Sequence, residues 1–147
     1  MNSNENKGGN FEYRDFGGLE STENRLVIKI SSGINSKSEL LTALAKAIRF
    51  PEYFGENWDA LEDCLRDLSW IKERELIIYH GDLPLWNIPN ECRVYLEILQ
   101  CILDDWNSKA NSVEFSTDAT YVDHEIRVVF PSCIADVVDN FLEGKYQ

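Results

Sequence analysis

Three short aliphatic runs alternate along the chain with segments whose apolar positions recur every three to four residues. Residues 26–30 (Leu-Val-Ile-Lys-Ile), 75–79 (Glu-Leu-Ile-Ile-Tyr) and 125–130 (Glu-Ile-Arg-Val-Val-Phe) are β-branched, nearly continuous in hydrophobicity and bounded by turn residues, which predicts buried strands. After the first run, Ser36 or Ser38 offers an N-cap, and Leu40, Leu41, Leu44, Ala45 and Ile48 follow at helical spacing until Pro51. A second helix is predicted from about Glu56, with Trp58, Leu61, Cys64, Leu65 and Leu68 on one arc. Leu83, Leu85, Trp86 and Ile88 suggest a short helical turn before Pro89. A long amphipathic helix then covers 92–106 through Val94, Tyr95, Ile98, Leu99, Ile102 and Leu103. Pro131 and Ser132 close the last strand and open a final helix through Ile134, Val137, Val138 and Phe141. Strands separated by helical crossovers pair in parallel. The expectation is an α/β fold: a three-stranded parallel sheet packed with four or more helices, plus an extra C-terminal helix.

Outside this frame the pattern weakens. Residues 1–10 are rich in Asn, Ser and Gly and read as a disordered tail. Phe11, Tyr13 and Phe16 alternate, so that segment either forms a short edge strand or lies against the domain. Residues 107–123 are polar with scattered apolar positions and fit a hairpin or an irregular loop equally well. At 147 residues the chain has room for one sizeable core. The reading is a single domain over 11–147, with its core at 26–130 and a helical extension at 131–147.

Charge narrows the function classes. With 26 acidic against 14 basic residues the formal net charge is -12, which repels a phosphate backbone and argues against direct nucleic-acid binding. No run is long and apolar enough for a membrane span, and the N-terminus lacks a signal-type apolar segment, which implies a cytoplasmic protein. Cys64, Cys92, Cys101 and Cys133 form no C-x-x-C pair and sit in apolar contexts, so free, buried thiols are expected. Neither His80 nor His124 lies near a further soft ligand, and no metal or other cofactor is expected.

Carboxylates cluster on one segment: Glu52, Glu56, Asp59, Glu62, Asp63 and Asp67. Asp59, Asp63 and Asp67, spaced i, i+4, i+8, line the helix face opposite the apolar arc. Such neighbours repel one another and give the helix no packing benefit. A solvated face partly balanced by Arg66 explains them as well as a binding surface does. Gly55 offers a positive φ for the turn into the helix, and Asn57 a cap for its first turn.

The run Pro-Glu-Tyr-Phe-Gly-Glu-Asn-Trp-Asp-Ala-Leu at 51–61, followed by Asp63, resembles the signature of the barstar family of intracellular ribonuclease inhibitors. The resemblance implies a three-stranded parallel sheet with four helices. It also implies a non-catalytic role: stoichiometric, 1:1 blockade of the basic active site of a ribonuclease or nuclease toxin. By position it assigns partner contacts to Tyr53, Asp59 and Asp63, with Asp63 standing in for a substrate phosphate. A further acidic contact falls at Asp104 or Asp105. Glu62, Asp67 and Leu68 replace the aromatic and glycine positions of the family surface, so the choice of partner is expected to diverge there, with Glu62 and Asp67 among the contacts. An immunity protein against another kind of toxin, or a regulatory interaction module, is the alternative. The sequence holds no G-x-S-x-G, P-loop or H-E-x-x-H motif, so an enzyme is not expected.

Overall fold

The computed structural model describes residues 11–15, 17–52, 54–112 and 124–143. Strands β1 (Glu12–Tyr13), β2 (Arg25–Ile30), β3 (Glu75–His80) and β4 (Glu125–Phe130) form one sheet in the order β1-β4-β3-β2, parallel throughout. Four helices accompany it: α1 (Lys37–Ile48), α2 (Trp58–Asp67), α3 (Pro89–Ser112) and α4 (Ala135–Leu142), the last preceded by a 3-10 turn at Ser132–Ile134. The expected three strands are therefore four, because Glu12 and Tyr13 pair with Val129 and Phe130 at the sheet edge. The described residues hold four α-helices in all, the C-terminal one included. The polar stretch from 107 begins as helix, since α3 runs on to Ser112; residues 113–123 and the 1–10 tail lie outside the described residues.

Handedness explains the layering. The crossovers β2-α1-α2-β3 and β3-α3-β4 step across the sheet in the same direction, and right-handed connections of that kind place their helices on one face. Period-2 alternation obeys this division. Ile28, Ile30, Leu76, Ile78, Ile126, Val128 and Phe130 join the helices in the main core, while Ile77, Tyr79 and Val129 point the other way. On the face that carries no helix among the described residues, the chain from β1 returns toward β2, and Leu19 packs on Ile77, Tyr79 and Val129. The same segment blunts the open edge of β2. Thr22 pairs with Arg25, and Ser21 Oγ accepts from the Val27 N–H at 2.9 Å.

A charged ladder crosses this second face. Glu75 accepts from Arg25 at 2.7 Å and from Arg127 at 3.0 Å, and Arg127 in turn makes a bidentate pair with Glu12 at 2.8 Å per bond. Burial alone raises the Glu75 carboxyl; the two arginine hydrogen bonds outweigh it and hold the group below the usual carboxylate range. Arg127 thereby fastens the two-residue strand β1 to the sheet.

One buried group makes the core pH-sensitive. His80 at the end of β3 is fully buried and stacked 4.2 Å from the Phe130 ring. Its Nδ1–H donates to Val129 O at 3.0 Å, so Nε2 accepts from the Tyr95 hydroxyl at 2.7 Å, and a single neutral tautomer satisfies both. Burial lowers its pKa from 6.5 to about 4. The unfolded chain therefore binds the proton first as pH falls, and folding stability drops on the order of 3 kcal/mol from about pH 6.5 to about pH 4. Urea unfolding across this window is expected to show that slope in the wild type, and His80→Gln to remove most of it at some loss of overall stability.

No helix among the described residues is long and apolar enough to cross a membrane. Cys64 and Cys92 are buried as expected, whereas Cys101 and Cys133 are exposed, having fallen on the outer sides of α3 and the 3-10 turn.

Candidate functional site

Helix α2 is short, ten residues from Trp58 to Asp67, and both ends are fastened. Asn57 caps the start, its Oδ1 accepting from the Ala60 N–H at 2.8 Å. The tight turn into that cap does not use a positive φ at Gly55. Glu56 takes it instead, at φ 57°, and a Cβ on Gly55 would meet Asn57 and Ala60 only at 3.4 and 3.8 Å. Trp58 then half-buries its ring against Tyr95, and its Nε1–H donates to Glu91 Oε1 of α3 at 2.7 Å. Lys37 of α1 places Nζ 5.2 Å from the centre of the same indole.

The other end is closed from α3 and from the start of β4. Trp106 Nε1–H donates to Leu65 O at 2.9 Å, and His124 Nε2–H donates to Leu68 O at 3.0 Å. Leu68 ends the helix in the left-handed region at φ 50° while fully buried, a conformation that a leucine holds only when its surroundings enforce it. The Trp106 and His124 rings meet edge to face, centroids 5.4 Å apart. Carbonyls that a helix leaves unpaired at its last turn thus find side-chain donors from elsewhere in the chain.

With Leu61, Cys64 and Leu65 buried beneath and Trp58, Ala60 and Glu62 half-buried at the sides, Asp59, Asp63, Arg66 and Asp67 face solvent. Asp59, Asp63 and Asp67 are all exposed, one per turn. Asp59 lies in the first turn, where the helix dipole favours a carboxylate; Asp67 lies in the last, where Arg66 is the basic neighbour. The field of the stripe reaches inward. The Cys64 thiol is pushed up first by burial and then by the charges of Asp67 and Asp63.

The other sequence-predicted positions divide. Glu62 is half-buried and pairs with Arg66 at 2.7 Å one turn along the same helix. Asp104 is exposed on α3, two residues before the Trp106 that binds Leu65, whereas Asp105 is half-buried. Tyr53 lies outside the described residues. What sequence reasoning missed is the seating of the helix. Glu91, Trp106 and His124 are remote from the motif in the chain, and no local pattern marks them as its supports.

Fold and site together define an α/β protein that presents a row of carboxylates on a helix held at both ends by side-chain donors and acceptors. The chain belongs to the barstar family: the model of that family, described as barstar (barnase inhibitor), matches residues 25–118, from β2 through α3. No curated protein and no solved structure matches at a significant level. Strands β1 and β4 and helix α4 fall outside the matched residues.

Two variants test the seating. Asn57→Ala should destabilise the protein by about 1 kcal/mol through loss of the cap. Trp106→Phe keeps an aromatic ring but removes the donor to Leu65 and the pyrrole half of the buried indole, and should lower stability by roughly 1–3 kcal/mol and speed exchange of the last amides of α2. Both are read by urea unfolding and by hydrogen exchange.

Proposed function

We propose that this protein is a non-catalytic inhibitor that binds the basic active site of a ribonuclease or nuclease toxin, one to one, in the cytoplasm. The observation that carries the reading is the exposed Asp59-Asp63-Asp67 row on a rigidly seated helix in a member of the barstar family. A ribonuclease gathers Arg, Lys and His to hold a polyanion. A carboxylate presented on a fixed helix can satisfy such a cluster with charge-assisted hydrogen bonds. Asp63, at the middle of the row, takes the place of a substrate phosphate; Asp59 and Tyr53 are the further contacts that the family assigns by position. Asp67, Glu62 and Asp104 extend the surface, and Glu52 and Glu56 add to the field that steers a basic partner. Because the helix backbone that carries Asp59 and Asp63 is already fixed, docking has only their short side chains to order.

The test is inhibition of a basic ribonuclease, with barnase as the first probe. Wild-type protein is expected to inhibit in proportion to its concentration, less so as salt rises. Asp63→Ala should weaken inhibition on the order of 100-fold or more, as when one member of a desolvated charge pair is removed. Asp63 is exposed, so the melting temperature should stay close to wild type. Equal inhibition by the two proteins would remove Asp63 from the centre of the site.

A further inference from the structure

The outer face of α2 carries charge but no aromatic ring: between Trp58 and Asp67 its exposed positions are Asp59, Asp63, Arg66 and Asp67. Protein interfaces draw much of their binding energy from a few large, rigid side chains, tryptophan foremost. Among the described residues one large hydrophobic side chain is conspicuously exposed, Trp86 at 62%. It stands in the turn between β3 and α3.

That turn is built to hold the ring outward. Leu83, Pro84 and Leu85 are buried, and Leu85 sits in the left-handed region at φ 63°. The Leu85 N–H donates to Ile34 O at 3.1 Å, and its own carbonyl accepts from the Ile88 N–H at 2.9 Å. A buried leucine holds that conformation only where the neighbouring packing enforces it. The residue that follows is the exposed tryptophan.

The turn also lies at the same end of the fold as the start of the acidic helix. Ile34 leads into α1, whose Lys37 reaches the Trp58 ring; the turn itself leads into α3, whose Glu91 accepts from the Trp58 indole. Loops at the carboxyl ends of parallel strands are where α/β sheets meet their ligands. Trp58 immediately precedes Asp59. The turn that carries Trp86 is thus joined to the segments that lead into α1 and α3, and the first turns of both hold Trp58, the residue before Asp59.

From this we infer that Trp86 is a specificity-determining anchor of the same partner surface, its indole face receiving an arginine or lysine of the basic nuclease; this rests on the function proposed above. The chemistry matches the partner. A cation-rich surface that docks on Asp59 and Asp63 has side chains to spare for an exposed indole, and tryptophan is the strongest of the aromatic rings for that contact. Lys37 over Trp58 is the same interaction made within the chain.

The experiment measures binding of barnase to the full chain by titration calorimetry at fixed salt for wild type, Asp63→Ala, Trp86→Ala and Trp86→Phe, with a thermal melt of each. The expected result is that Trp86→Ala weakens binding on the order of tenfold or more while its melting temperature is unchanged, and that Trp86→Phe recovers part of the loss. If Asp63→Ala weakens binding and Trp86→Ala stays within twofold of wild type, the anchor is overturned and the acidic site stands. If both Trp86 variants lose affinity only in step with a lowered melting temperature, Trp86 is a packing residue and the anchor is again overturned. If wild type does not bind, the proposed inhibition of this nuclease is overturned and the anchor with it.

Discussion

Two indole N–H groups fix the position of the one helix that matters most here. Trp58 reaches from the first residue of α2 to Glu91, and Trp106 reaches from α3 to the carbonyl of Leu65 near its end. A ten-residue helix is too short to persist on propensity alone, and three aspartates down one side make it weaker still. Its stability comes from its neighbours. Leu61, Cys64 and Leu65 seal the inner face, Asn57 closes the first turn, and His124 with Trp106 closes the last. The carboxylates can then be spent entirely on the outside.

The sheet beneath imposes the geometry that makes this possible. Same-direction, right-handed crossovers put α1, α2 and α3 on one face and bring the first turns of all three to the carboxyl ends of the strands. The opposite face is closed more cheaply, by Leu19 over Ile77, Tyr79 and Val129 and by the ladder Arg25-Glu75-Arg127-Glu12. His80 ties the two halves together. It links β3 to β4 through Val129 and to α3 through Tyr95, whose ring stacks on Trp58. A hydrogen-bonded and stacked path thus runs from the centre of the sheet to the residue preceding Asp59.

Much of this was legible in the sequence. Continuous aliphatic runs located β2, β3 and β4 to within a residue, and the wheel of α2 separated Leu61, Cys64 and Leu65 from Asp59, Asp63 and Asp67 because burial imposes a sharp division on a short helix. Other features were hidden for physical reasons. Strand β1 has only two paired residues, so alternation leaves an edge strand and a packed segment equally open, and its ties to Arg127 and Phe130 lie more than a hundred positions away. The left-handed residue before α2 is Glu56 rather than Gly55, a choice dictated by where the loop must enter the helix and not by which residue adopts φ > 0 most easily. Trp86 reads as part of an apolar helical turn, but the chain inverts at Leu85 and the next ring stands exposed.

In the function proposed above, the pre-seated acidic helix α2 is the surface that meets a basic nuclease. Hydrogen exchange of the α2 amides, recorded with and without an equimolar amount of barnase, tests it most directly. Slow exchange is expected across residues 60–68 in the free protein, with further protection on complex formation that is centred on α2 and extends to the adjoining turn of α3. Rapid exchange of α2 in the free protein, or protection confined to the sheet face lined by Leu19, Ile77, Tyr79 and Val129, would rule this surface out.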